Sequence, residues 1–399
     1  MSDTPKNTLG VISRGIKAPI IKEGDNLAEI VVKSLLEAAS ENNFTIGDRD
    51  VVAVTEAVVA RAQGNFATID NIADDVREYF PKGEAGVIFP ILSRNRFACL
   101  HGIARGLKKV YIMLSYPSDE VGNRLITPEQ LEESGVNPYT DVLSEAQFRE
   151  LFGYEKHIFT GVDYIELYKS IVRENNADAE IIFANNPAAI LNYTKNVIAA
   201  DIHTREMTKS RLLKNNAEKV VTLAEIMNKP RNNSGFNPNY GVLGANLATG
   251  EKLKLFPRDC DAFVADVAAR FYKETGKHVE VMVYGDGAFK DPVGFIWELA
   301  DPVVSPGYTA GLEGTPNEIK LKYIADNEFP DLSGEELKAA ILGKIKAKKA
   351  DLKGDMSSMG TTPRRLTDLL GSLADLTSGS GDKGTPFILI QGYFSNYAD

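Results

Sequence analysis

Apolar residues recur along the chain at two spacings, a helical period near 3.6 and short unbroken runs, and the two alternate. Ile20-Ile21-Lys22-Glu23-Gly24-Asp25 reads as an extended segment closing in a turn. Asp25 or Asn26 is then placed to cap a helix carrying Leu27, Ile30, Val31 and Leu35 on one face. Asp50–Thr55 predicts a buried strand, Asn71–Phe80 a helix and Gly86–Leu92 another strand. From about Ser93 the pattern continues with a strand at Val110–Leu114, a helix over Ser144–Phe152 with Ser144 as N-cap, and a helix over Tyr164–Arg173. Strands follow at Ile181–Phe183, Val197–Ala200 and Val220–Leu223, before the Asn-rich stretch Asn228–Gly235. The last third predicts helices over Cys260–Tyr272, Leu337–Lys349 and Leu366–Leu376, with strands at Val279–Val283 and Phe387–Ile390. This alternation predicts an α/β (α+β) fold.

Composition narrows the function classes. The chain has 399 residues, 43% hydrophobic and 25% charged, which suits a folded globular protein of two or three domains. Its formal net charge of -10 makes a nucleic-acid backbone or an anionic membrane a poor partner. No apolar run reaches the roughly 18 residues of a membrane helix, and the N-terminus lacks a secretion signal's layout. Two cysteines, Cys99 and Cys260, are too few for a disulfide framework. A cytoplasmic location is expected.

Candidate chemistry is spread thinly. Asp201, His203 and Glu206 are close enough in sequence to ligate a metal, although polar residues at a strand end and helix start read the same way. No Gly-x-Ser-x-Gly elbow is present, which argues against a serine hydrolase. The run Ser378-Gly379-Ser380-Gly381-Asp382-Lys383-Gly384 is not a Walker loop, yet its small residues would let backbone N–H groups approach a phosphate. Gly285-Asp286-Gly287 places a carboxylate just beyond a predicted strand, where hard metal ions and phosphates are often held.

Read in chain order, these segments carry a resemblance. Gly15 to Leu27, with its Pro19, Lys22 and Gly24-Asp25, and Asp50 to Gly64 resemble the opening of the coenzyme F420-0:L-glutamate ligase (gamma-glutamyl ligase) family. Gly241-Val-Leu-Gly-Ala-Asn246 is similar to the family's Gly-hydrophobic-Asp-x-Ser-Asn segment. Val281 to Lys290 resembles its strand leading to a metal aspartate, and Asp368 to Gly392 its closing helix, glycine loop and strand. The resemblance covers residues 10–92 and 219–394, which are expected to form one ligase-like domain, with 93–218 as an inserted α/β lobe.

The resemblance implies GTP as substrate, Mg or Mn as metal, and a gamma-linked amide formed between glutamate and a small acidic acceptor. It places Ala18, Pro19, Ile20 and Ile21 near the nucleotide, with Thr55, Glu56 and Arg61 in a second contacting segment. Asn246 and the loop Ser378, Gly379, Ser380, Gly381 and Asp382 complete the nucleotide site, and Asp286 is the metal ligand. A homodimer is implied as well. Three departures stand out: Leu243 aligns with the family's first metal aspartate, Gly287 with a threonine, and Arg61 with a lysine. Leu243 favours an alternative, a non-catalytic nucleotide or metabolite binder that kept the fold. A third reading puts different transferase chemistry in the 93–218 segment, where Arg94, Arg96, His101, Asp119 and Glu120 surround a strand.

Overall fold

The computed structural model describes residues 9–157, 160–285, 288–290, 297–299, 304–349, 352, 354–358, 365–379 and 381–396. The chain begins with β1 (Ile12–Ile16), α1 (Leu27–Glu41), β2 (Val51–Thr55), α2 (Glu56–Ala62), β3 (Phe66–Thr68), α3 (Ile69–Tyr79) and β4 (Glu84–Ile88). Next come α4 (Leu100–Arg105), β5 (Lys109–Leu114), α5 (Pro128–Ser134), β6 (Leu143–Ser144), α6 (Glu145–Phe152), α7 (Tyr164–Glu174) and β7 (Asp178–Phe183). They lead to β8 (Asn196–Ala199), α8 (Arg205–Lys214), β9 (Lys219–Thr222), β10 (Asn246–Thr249), β11 (Lys252–Lys254) and α9 (Cys260–Thr275). The chain closes with β12 (Glu280–Gly285), β13 (Ala288–Lys290), β14 (Trp297–Leu299), β15 (Val304–Tyr308), α10 (Leu321–Asn327), α11 (Gly334–Ala347), α12 (Leu366–Ser378) and β16 (Phe387–Gln391).

These elements form two compact units, one from Met1–Val59 with Asp259–Asp399, the other Ala60–Arg258. The division differs from the expected one. Residues 60–92 and 219–258, expected with the ligase-like domain, fold with 93–218 instead. The reason is pairing: β4 is flanked by β5 and β8, so a cut at residue 92 would split one sheet.

The discontinuous unit is built on a five-stranded sheet of order β1-β16-β2-β12-β15. β2 and β12 are parallel, and the other pairs are antiparallel. Side chains alternate across a strand, so Val51 and Ala53 join Met282, Ile388 and Ile390 beneath Leu370 and Ala374 of α12. α9 packs against β12 and β15, and α1 against α9. Asn26 caps α1 by accepting the Glu29 N–H at 3.4 Å, and Leu27, Val31 and Leu35 form the buried stripe behind it.

The continuous unit holds a six-stranded sheet of order β6-β7-β5-β4-β8-β9, with β6 alone antiparallel. From β4 the chain winds outward through β5 to β7, then crosses to the opposite side for β8 and β9. The strand order therefore reverses between β4 and β8. Both faces are covered, which explains the near-continuous apolar runs of β4, β5 and β8. One face carries Ile103 of α4, Phe148 of α6 and Tyr168 of α7, and the other Ile190 and Leu212. Ser144 caps α6 through the Gln147 N–H, as its sequence predicts. A small antiparallel sheet, β10-β11-β3, completes this unit. Among the described residues no helix is long and apolar enough to cross a membrane.

Candidate functional site

The five-stranded sheet brings four chain segments to one of its edges. Ile16 at the end of β1 faces Phe387 at the start of β16. Phe387 in turn faces Val54, and Thr55 at the end of β2 faces Tyr284 of β12. The Ala18 N–H donates to the Gly384 carbonyl at 3.0 Å, and the Thr55 N–H to the Pro386 carbonyl at 3.0 Å. So Ala18, Thr55, Glu56 and the 378–386 loop share this edge, and β12 delivers the chain there at Gly285. Asp286 and Ser380 lie outside the described residues.

The loop between α12 and β16 is shaped by its glycines. Gly379 and Gly384 have φ of +65° and +67°, a region that residues with a side chain rarely adopt. Gly381 faces open space, with nothing within 4 Å of where a Cβ would stand. The Thr385 hydroxyl donates to the Ser378 carbonyl at 2.8 Å and draws the ends of the loop together. Thr385 also packs against Gly15, where an added Cβ would lie 3.2 Å from the threonine Cβ.

Beneath the loop lies Tyr284, 1% exposed. Burial pushes its hydroxyl up to about 12, with the neighbouring Ser378 side chain pulling the other way and Asp375 adding to the rise. Among the described residues the hydroxyl makes no hydrogen bond of good geometry. Burial also raises Asp375. Glu56, 7% exposed, opens α2 directly after β2. Of the four residues expected near a nucleotide, Ile21 is 4% exposed and belongs to the core, whereas Ile20 is 83% exposed. Ala18 and Pro19 line a cleft of about 730 Å³ together with Arg14, Lys17 and Glu37, a size that suits a small-molecule ligand.

Sequence reasoning missed Lys17, Tyr284, Thr385 and Pro386. Only the Gly-Thr-Pro turn at 384–386 offered a signal, because a hydroxyl beside a turn often closes it.

A nucleotide fits what is present: a cleft with a lysine, and a glycine loop open at Gly381. A metal ion has less support. Among the described residues no three His, Cys, Asp or Glu side chains gather to hold one. Leu243 is 4% exposed and packs in the apolar core of the continuous unit, so it offers no ligand. Arg61, in the last turn of α2, and Asn246, which opens β10 opposite Lys254, both belong to the 60–258 unit.

The other residues singled out by sequence have local roles. Asp201 accepts the Thr204 hydroxyl at 2.6 Å and the Thr208 hydroxyl at 2.7 Å, at the start of α8. Asp119 accepts the Leu92 N–H at 2.8 Å and both N–H groups of Asn123. His101 sits 3.1 Å from the Asn175 amide, and burial lowers its pKa.

No curated protein matches the sequence. The family model for F420-0:gamma-glutamyl ligase matches residues 15–392, running through both units and through the segment expected to be an insertion. With that span matched, the chain belongs to the F420-0:gamma-glutamyl ligase family.

Proposed function

We propose that the protein is a nucleotide- and metal-dependent amide ligase, adding glutamate or a similar amine to a small acidic acceptor and working as a homodimer in the cytoplasm. The observation that carries this reading is the convergence of Ala18, Thr55, Glu56 and the glycine loop on one sheet edge. Backbone N–H groups around Gly381 would hold phosphate oxygens, and the Lys17 ammonium would offset their charge. Glu56 and Asp382 would join Asp286 as oxygen ligands for Mg or Mn. GTP, when bound, supplies the phosphoryl group that activates the acceptor carboxylate toward the amine. Deep burial of Tyr284 makes a firm floor beneath the loop, which keeps the phosphate-binding N–H groups in place.

A second reading, a nucleotide binder without catalysis, draws on the burial of Leu243 where the family has a metal aspartate. One experiment separates the two: calorimetry of Mn²⁺ binding in the presence of GTP, with turnover measured with and without glutamate. The ligase reading expects metal binding that Asp286→Asn removes, and glutamate-dependent GTP consumption. Nucleotide binding with no metal dependence and no turnover would select the second reading.

A further inference from the structure

The strand order reverses between β4 and β8, and open α/β sheets bind ligands beyond the carboxyl ends of the strands at such a reversal. The loop leaving β4 contains no glycine from Phe89 to Asn95, so it cannot form the glycine cradle of a dinucleotide fold. The loop leaving β8 offers something else. The successive N–H groups of Ile202 and His203, ahead of the ten-residue α8, both donate to the Glu120 carboxylate, the second at 3.1 Å. Glu120 comes from the loop after β5, which Asp119 fastens to the loop after β4 through the Leu92 N–H. An anion is therefore already held at the start of α8, and it is one of the protein's own side chains.

The surroundings suit a stronger anion. The loop after β4 carries Arg94 and Arg96, and the loop after β8 leads into His203 and Arg205. Arg205 reaches the Ile202 carbonyl with one nitrogen, and its Nε lies 3.9 Å from Glu206. A second, independent feature points to a ligand. Asp201 is 1% exposed, its Oδ2 takes two threonine hydroxyls, and among the described residues its Oδ1 has no hydrogen-bond partner. A buried carboxylate oxygen left in that state calls for a donor. Burial raises the pKa of Glu120, and the nearby Asp201 adds to the rise.

We propose that the start of α8, where these loops meet, is a second binding site, for a sugar phosphate or the sugar-phosphate part of a nucleotide. The phosphate takes the Ile202 and His203 N–H groups in place of Glu120, and a sugar hydroxyl donates to Asp201 Oδ1. Helix N-termini favour phosphate for the same reason they hold this carboxylate, through oriented N–H groups and the helix dipole.

The test is calorimetry on the full chain with ribose 5-phosphate, adenosine monophosphate and inorganic phosphate, with folding of each variant checked by circular dichroism. Glu120→Gln removes the competing charge and is expected to tighten ribose 5-phosphate about tenfold; Arg205→Gln is expected to weaken it about tenfold, the scale of one charged hydrogen bond. Asp201→Asn should weaken ribose 5-phosphate and leave inorganic phosphate unchanged. Tighter binding of adenosine monophosphate than of ribose 5-phosphate assigns a nucleotide, and equal binding assigns the sugar phosphate. Failure of Glu120→Gln to bind ribose 5-phosphate overturns the proposal. So does wild-type affinity for inorganic phosphate equal to that for ribose 5-phosphate, since Asp201 would then hold only water. All three substitutions lie in the 60–258 unit, so only binding that they alter is assigned to this site, and that part does not depend on the ligase reading. Should Asp201→Asn fail to fold, the variants at Glu120 and Arg205 still decide the matter.

Discussion

Replacing Thr385 with valine isolates the contribution of the loop closure to nucleotide binding. Valine keeps the branched shape that packs against Gly15 but cannot donate to the Ser378 carbonyl. A neutral, part-buried hydrogen bond contributes about 1 kcal/mol, so folding stability should fall by about that much, and the melting temperature by roughly 2–4 °C. The loss falls on the closed form of the loop. If that form is the one that binds phosphate, nucleotide affinity should weaken by up to about fivefold, the same energy expressed as an equilibrium. Calorimetry with a non-hydrolysable GTP analogue measures it. Gly381→Ala provides the complementary perturbation. Its Cβ would enter open space, so stability should hold within about 0.5 kcal/mol, yet the methyl would stand beside the N–H groups that a phosphate must reach. Expected results are a modest affinity loss with a stability loss for Thr385→Val, and an affinity loss alone for Gly381→Ala. Unchanged affinity in both variants would refute the placement of the nucleotide at this loop.

Other perturbations test the packing and the titrating groups. Gly102→Ala should cost about 1–3 kcal/mol, because its Cβ would stand 2.5 Å from the Ile72 Cβ where α4 crosses α3; denaturant unfolding gives the value. Leu370→Ala, on the buried face of α12, should cost about 2–5 kcal/mol and lower the melting temperature of the discontinuous unit. Burial lowers the pKa of His101 and of His157 below the ordinary 6.5, so the folded chain resists protonating them while the unfolded chain does not. Stability should therefore decline as pH falls through about 6.5, and His101→Gln with His157→Gln should flatten that decline in a pH series of melts.

Most elements were legible because their apolar periods were strong. Val51–Val54, Val110–Leu114 and Phe387–Ile390 are fully buried runs, and Asn26 and Ser144 cap the helices their positions imply. β1 is not legible as a strand, since Ile12–Ile16 carries a glycine and an arginine and gains its strand state by pairing with β16. The boundary between the two units is hard to read from the sequence for a related reason. β4 looks like a close to the first segment, but its pairing partners β5 and β8 come later in the chain, and pairing is not written in local period. The edge that gathers Ala18, Thr55 and the glycine loop could be anticipated only through the resemblance. Tyr284 and Thr385 act through tertiary contacts that no spacing announces.

The position of β16 has a consequence for biosynthesis. It lies between β1 and β2, and β1, as the edge strand, has no other partner in its sheet among the described residues. A chain emerging from the ribosome exposes β1 first and the strand that receives it last. All of residues 60–258 can fold in the interval, since their strands pair only among themselves. Closing so distant a pairing is slow, because the loop entropy is lost before the contacts form. The unpaired edge of β2 waits exposed meanwhile, a hazard for aggregation. Nascent chains stopped short of Phe387 would thus hold one finished unit and one unfinished sheet, and such chains are natural clients for a chaperone.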